Sequence, residues 1–325
     1  MRIVFMGASD LGWECCQKLL DIGQDIVGIY SIPQQFDISW ANSTVKNVRF
    51  KSFDDLAKKH SIPITYVTQK MPKYKDSLVE LAPDVIIAIG WYYMIPRSLR
   101  ELAPLGAVGV HASLLPKYRG GAPLVWAIIN GEINAGVSLF HFDDGVDDGD
   151  IIGQSKFEIA LEETISDIVE KSIVASLELV AEYIPRLVDG TVPRIQQDHS
   201  KATFVSQRQP EDGGIDWNSL SSLQAYNWIR AQTHPYPGAF TYLGNQKIYL
   251  WKAKIYKGQC SKPVPGGIFT SWSMEENKFI VCCADGALLE IIEVGLEDGT
   301  KISGHSYMKS KKIEAGMALQ NERGG

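Results

Sequence analysis

The sequence predicts an α/β protein: a mainly parallel sheet with helices between its strands, followed by a smaller β-rich domain. Three observations carry this. Short apolar runs alternate with helix-period segments through residues 1–190, the pattern of successive βαβ units. Beyond Gly190, strand signals joined by glycine-containing turns take over. The 325 residues are 45% hydrophobic, enough to bury one large core or two medium ones.

Taken in order, Arg2–Met6 (RIVFM) reads as a buried strand, 7–12 (GASDLG) as a turn, and 13–21 as a helix stopped by Gly23. A strand at 25–30 completes a βαβ opening. Residues 31–50 lack a clear period and are expected as a long loop. A short helix at 53–60 precedes Pro63 and a strand at 64–67. A helix at 74–81, an apolar strand at 84–89, a helical turn at 96–102 and a strand at Ala107–His111 continue the alternation. A helix at 123–130 and a strand at 136–142 follow. A long helix at 165–188 begins at a Thr164/Asp167 capping box, can kink at Pro185 and stops at Asp189-Gly190.

Residues 191–214 are polar, contain Pro193 and Pro210, and read as a connector. An amphipathic helix spans 220–231. Gly244-Asn245 and Asp285-Gly286 are hairpin turns between apolar strands at 240–243 and 247–251, and at 279–283 and 288–294. A compact barrel is the expected result. The expected limits are a domain at 1–190, a linker at 191–207, a β-rich domain at 208–310 and a tail at 311–325, with disorder expected from residue 310 onward.

A net charge of −6 gives no global attraction to nucleic acid or to an anionic membrane. No apolar run is long enough to span a bilayer, and the chain opens without a charged-then-apolar leader. Cys15, Cys16, Cys260, Cys282 and Cys283 fit neither a metal-ligand spacing nor a secreted disulfide framework. They are expected as reduced, at least partly buried thiols in a cytoplasmic protein. No metal is expected.

The turn at 7–12 lacks the middle glycine of a dinucleotide fingerprint, and no acidic residue ends the next strand, so a plain strand-to-helix turn is the better reading. The acidic segment 143–150 (DDGVDDGD) lacks the closing glutamate of a calcium loop. It follows a strand of the same sheet that ends at His111, so one of its carboxylates can meet that histidine as an acid–base partner. A basic, glycine-heavy loop (ASLLPKYRGG) follows His111 directly, and its Lys117 and Arg119 suit phosphates or carboxylates.

The loop 111–120 (HASLLPKYRG) and the segment 143–150 together resemble the signature of the 10-formyltetrahydrofolate-dependent formyltransferase family. The likeness continues through 208–213 (RQPEDG), 228–231 (WIRA) and 235–240 (PYPGAF), and so covers almost the whole chain. It implies a Rossmann-like catalytic domain with a C-terminal β-barrel-like domain of OB type. It implies transfer of a formyl group from N10-formyltetrahydrofolate to an amine. His111 is then the catalytic histidine and Asp147 its acidic partner. The folate pocket is implied at Ile89, Gly90, Trp91, Tyr92, Tyr93, Met94 and Ile95, with Phe142, Asp143, Asp144, Gly145 and Asp147. The acceptor is implied to meet Ser113, Leu114, Lys117, Tyr118, Arg119 and Gly120. One departure stands out. The family's asparagine two residues before the histidine is Gly109 here, and loss of one such donor typically costs about 3 kcal/mol of transition-state stabilisation.

The likeness is greatest to enzymes that formylate nucleotide-linked amino sugars, carried by 116–119 (PKYR), Trp126, 130–132 (NGE) and 244–247 (GNQK). Residues 31–51 are then the natural acceptor loop, with Phe36 and Trp40 either stacking on a base or packing at the surface. Initiator methionyl-tRNA is the main rival acceptor. Gly109 also keeps open a formyltetrahydrofolate hydrolase or a catalytically weak folate-binding protein. A homodimer is compatible with all of these, and no membrane partner is expected.

Overall fold

The computed structural model describes residues 1–38, 41, 44–260, 264–270, 278–311, 313 and 317–322. Trp40 therefore lies outside the described residues. The chain divides into two compact units. One comprises 1–123, 134–158 and 169–206; the other comprises 124–133, 159–168 and 207–325.

In chain order, the strands of the first unit are β1 (Arg2–Met6), β2 (Asp25–Ser31), β3 (Gln35–Phe36), β4 (Val45–Lys46), β5 (Ile64–Tyr66), β6 (Val85–Ala88), β7 (Ala107–His111), β8 (Arg119–Gly120), β9 (Asn134–His141), β10 (Ile151–Glu158) and β11 (Phe204–Val205). Seven of these form one sheet in the order β10-β9-β7-β6-β1-β2-β5. The run from β5 to β7 is parallel. β9 and β10 pair antiparallel at the other edge. The helices up to residue 206 are α1 (Asp10–Asp21), α2 (Asp54–His60), α3 (Lys75–Leu81), α4 (Arg97–Arg100), α5 (Pro123–Ile129), which falls almost wholly in the second unit, and α6 (Ile165–Tyr183), whose first turn does too.

Alternation along the strands divides the core into two layers. Ile3, Phe5, Ile87, Val108 and Leu139 pack with Leu19 of α1, Leu56 of α2 and Leu179 of α6. Val4, Met6, Ile86 and Ala88 pack with Leu78 of α3 and Leu99 of α4 on the opposite face. The βαβ reading of the sequence holds. The strand β10 was not anticipated, because its sequence IIGQSKFE is fully buried only over its first three residues and mostly polar thereafter, Phe157 excepted, as an antiparallel edge strand can be. Among its described residues, the 31–50 loop carries a two-residue ladder, β3 with β4. The long helix ends earlier than expected, at Tyr183, and a 3₁₀ turn at Ile184–Arg186 takes up Pro185.

The second unit contains α7 (Ser222–Gln232), β12 (Ala239–Leu243), β13 (Gln246–Gln259), β14 (Ile268–Thr270), β15 (Phe279–Cys282), β16 (Ala287–Leu296), β17 (Lys301–Ser303) and α8 (Gly304–Lys311). Its antiparallel sheet runs β12-β13-β16-β15-β14, with β17 on β16. Both expected hairpins are present. Residues 317–320 then bridge the two outer strands. Gln320 exchanges backbone hydrogen bonds with Tyr242 at 2.8 and 3.0 Å, while the Ile268 amide donates to Met317 at 2.7 Å. That short segment gives the sheet its barrel-like closure, where the sequence suggested disorder. Trp217, Ile229, Leu250, Phe279, Ile291 and Tyr307 fill the interior. Trp126 is capped by the Arg208 guanidinium, which sits 4.8 Å from its ring and 4.9 Å from Trp228. Among the described residues no helix is long and apolar enough to cross a membrane, and no group of His, Cys, Asp or Glu could hold a metal.

Candidate active site

Ala107, Gly109 and His111 alternate onto one face of β7, and His111 closes the strand with only 8% of its surface exposed. The loop beyond it is built by short hydrogen bonds. Ser113 Oγ donates to the Lys117 carbonyl at 2.6 Å. From the neighbouring strand β9, Ser138 Oγ donates to the Ser113 carbonyl at 2.7 Å and accepts from the Leu115 amide at 3.1 Å. Gln154 Nε2 of β10 donates to the Leu115 carbonyl at 2.9 Å. Tyr118 has φ +58° and Gly120 φ +101°. The loop thereby turns the Tyr118 carbonyl onto His111 Nε2 at 2.7 Å. A carbonyl only accepts, so Nε2 carries a proton.

Asp147 arrives from the loop between β9 and β10. It adopts φ +49°, a left-handed conformation unusual for a side chain other than glycine. Its Oδ2 accepts from the Gly120 amide at 2.8 Å and lies 3.5 Å from His111 Nδ1. The two residues proposed from sequence as an acid–base pair are thus brought together, with the glycine-heavy loop bound to the same carboxylate.

Arg119 was expected to face an acceptor. Instead it is turned inward, 3% exposed. Its Nε and Nη2 donate to Gln197 Oε1 at 3.1 and 2.6 Å, and its guanidinium also meets His199 Nδ1 at 3.3–3.4 Å. Ser113 is likewise buried and used within the loop, and Leu114 packs over Gly136. Lys117 is exposed. Gln197, His199, Ser138 and Gln154 were not singled out from sequence. Gln197 and His199 sit in the polar stretch read as a connector, where no periodicity marks them.

On the expected folate side, Ile89 and Ile95 are core residues, at 0% and 4% exposure, so they offer a ligand backbone rather than side chain. The Ile89 carbonyl lies against Gly7 and Gly12, and Gly90, at φ +64°, leaves room for the Ser9 hydroxyl that caps α1. This close approach accounts for the glycines at 7 and 12 as packing. Trp91 and Tyr93 meet edge to face at 5.9 Å, and Phe36 packs on Tyr92 at 4.9 Å and Tyr93 at 5.8 Å. Phe36 is only 6% exposed, committed to these rings rather than free to stack on a base. Burial first, and then the charge of Asp37, pushes the Tyr93 hydroxyl pKa up. Met94 points out, 64% exposed.

Phe142, Asp143 and Asp144 line a cleft of about 410 Å³ together with Arg97, Arg100 and Ala107. Arg100 Nη1 donates to the Phe142 carbonyl at 2.8 Å, and Nη2 pairs with Asp144. Arg100 Nε, and elsewhere on the expected folate side Trp91 Nε1, are buried donors with no hydrogen-bond partner. At Gly109 a side chain has no room. A Cβ there would fall within contact distance of the Ala88 carbonyl and 2.5 Å from the Phe142 ring. The aromatic ring occupies the space at position 109 that an asparagine side chain would need.

A family model described as formyl transferase matches residues 1–183, and one described as formyl transferase, C-terminal domain, matches 208–312. Among solved structures, HypX from Aquifex aeolicus in complex with tetrahydrofolic acid is 18% identical, with 95% of this chain and 47% of HypX covered and a TM-score of 0.61. The chain thus spans about half the length of HypX. An N-formyltransferase from Helicobacter canadensis, in complex with folinic acid and dTDP-3-aminofucose, is 18% identical over 89% of this chain and 98% of its own, with a TM-score of 0.64. Methionyl-tRNA formyltransferase from Clostridium thermocellum is 20% identical over 80% of this chain and 95% of its own, with a TM-score of 0.53. These likenesses establish a shared fold. The first family model takes in both His111 and Asp147 and more than half of the sequence; on that ground the chain belongs to the formyl transferase family.

Proposed function

We propose that this protein transfers a formyl group from N10-formyltetrahydrofolate to the amine of a nucleotide-linked amino sugar. The observation that carries formyl transfer is the meeting of His111 and Asp147 at the end of β7, both of them held by the loop that follows His111. The cleft lined by Phe142 and Arg100 suits a flat heterocycle, with the ring to stack on and a guanidinium to meet an acceptor edge. N10-formyltetrahydrofolate supplies the formyl carbon when bound. His111 Nε2–H, now donating to the Tyr118 carbonyl, is the donor for the oxygen on which negative charge grows. Asp147 accepts the proton that the attacking amine must lose, directly or through water, and holds the ring of His111. That proton is the one the departing folate nitrogen must gain, so the exchange balances without a net proton. The likeness in length and fold to the Helicobacter canadensis enzyme supports a nucleotide-linked amino sugar as acceptor.

A second reading is hydrolysis of formyltetrahydrofolate, with water in place of the amine. The Phe142 ring beside Gly109 favours it, because no asparagine amide there polarises the formyl group. One assay separates the readings. Formyltetrahydrofolate consumption is followed with no acceptor, with pooled nucleotide-linked amino sugars, and with charged initiator tRNA. Consumption that requires the sugars supports the proposal. Equal consumption without acceptor establishes the hydrolase, and consumption only with tRNA overturns the sugar reading.

A further inference from the structure

We infer that Gln197 is the positioning residue that holds Asp147 against His111. This rests on the formyl-transfer reading above and assigns a role within it to the segment that looks like a connector in the sequence.

That segment is pinned at both ends to the two loops of the site. Ile195 exchanges backbone hydrogen bonds with Ile151 at 2.8 and 2.9 Å, beside the end of the acidic loop. β11 pairs in parallel with β8, which is part of the loop after His111. Gln197 lies between these attachments and is 4% exposed. Its amide has two acceptor and two donor positions, and all four are filled. Oε1 accepts from Arg119 Nε and Nη2 at 3.1 and 2.6 Å. Nε2 donates to the Asp147 carbonyl at 2.9 Å and to the Gly149 carbonyl at 2.7 Å. The partners fix which way the amide points, since a flipped amide would set donors against the guanidinium and an acceptor against two carbonyls.

Asp147 needs such a brace. Its φ of +49° lies in the left-handed region, which aspartate enters more readily than most side chains but still at a cost. The two carbonyls gripped by Gln197 flank the turn that sets the direction of the Asp147 side chain. The Arg119 end of the same amide fixes the loop whose Gly120 amide receives that carboxylate. One buried side chain therefore ties both halves of the His111–Asp147 pair.

Glutamate is the discriminating substitution. It keeps the acceptor for Arg119 but sets an oxygen against the Asp147 and Gly149 carbonyls. Gln197→Glu and the apolar Gln197→Met are made in the full chain, alone and with Asp147→Asn. Formyl transfer and the ¹⁵N shifts of the His111 ring are measured in each. Each Gln197 variant is expected to lower kcat by about tenfold to a hundredfold, the usual cost of a misplacement of about 1 Å, with KM for the folate within about twofold. In the Asp147→Asn background the same substitution costs less than about twofold, because its effect runs through Asp147. The His111 ring shifts of each Gln197 variant move to those of Asp147→Asn. The inference is overturned if the loss is as large in both backgrounds, or if the ring shifts stay at their wild-type values. Should the wild-type chain transfer no formyl group, the formyl-transfer reading fails, and the ring shifts alone decide the role of Gln197.

Discussion

His111 stands between two oxygens, the Tyr118 carbonyl at Nε2 and the Asp147 carboxylate at Nδ1. A neutral ring can donate to only one of them, and the Tyr118 carbonyl takes that proton at Nε2. His111→Ala is expected to reduce transfer by about a thousandfold while leaving the unfolding midpoint within a few degrees; kcat and a thermal melt read the two effects. A second histidine carries a stability signature. Burial first, then the charge of Arg194, lowers the His141 pKa from 6.5 to about 4, against the opposing pull of Asp150. Between those values the unfolded chain binds the proton and the folded chain does not, so stability falls as pH drops from 6.5 toward 4. Allowing for partial exposure, the loss is about 1–2 kcal/mol. In urea titrations His141→Asn should show that much less acid sensitivity than the wild type. At this scale the sequence exposed His111 and Asp147, because each sits in a dense, patterned segment beside a strand. It concealed Gln197, a single amide in a polar stretch, whose use depends on two loops more than forty residues away in sequence.

At the scale of elements, β7 illustrates how a single glycine sets the neighbourhood. Gly109 admits the Phe142 ring, and a side chain at 109 meets both that ring and the Ala88 carbonyl of β6. Gly109→Asn is therefore expected to destabilise the first unit by about 1–3 kcal/mol, as overpacking does, and to leave transfer no faster. Adding Phe142→Ala should recover part of the stability by removing one of the two obstacles. Urea midpoints of the three chains check this. The parallel strands were legible because their apolar runs are continuous, and the hairpins because Gly244-Asn245 and Asp285-Gly286 leave few alternatives. β10 was not legible, since its outer half holds one apolar residue, Phe157, among polar ones and the strand pairs at an edge. Arg119 shows the opposite failure: a charged residue in a loop suggests a ligand, and its neighbours instead bury it.

For the whole molecule, two units with separate cores account for the apolar content that the composition revealed. The second closes through a segment too short to show any period. Leu319 is 3% exposed there, between residues that bond to β12 and β14. Leu319→Ala is expected to cost about 2–4 kcal/mol. Removal of 317–325 should in addition leave two strand edges open and promote aggregation. Unfolding curves and light scattering test both. The formyl transferase family model covers the first unit's His111 and Asp147, and on the proposed reading they act as donor and base with Gln197 as their brace. The most direct test of that reading is mass spectrometry of nucleotide-linked amino sugars after incubation with the protein and N10-[¹³C]formyltetrahydrofolate. The account predicts that the label appears on the sugar amine with the wild-type chain and is lost with His111→Ala. Label released only as formate, or transferred equally well by His111→Ala, would contradict it.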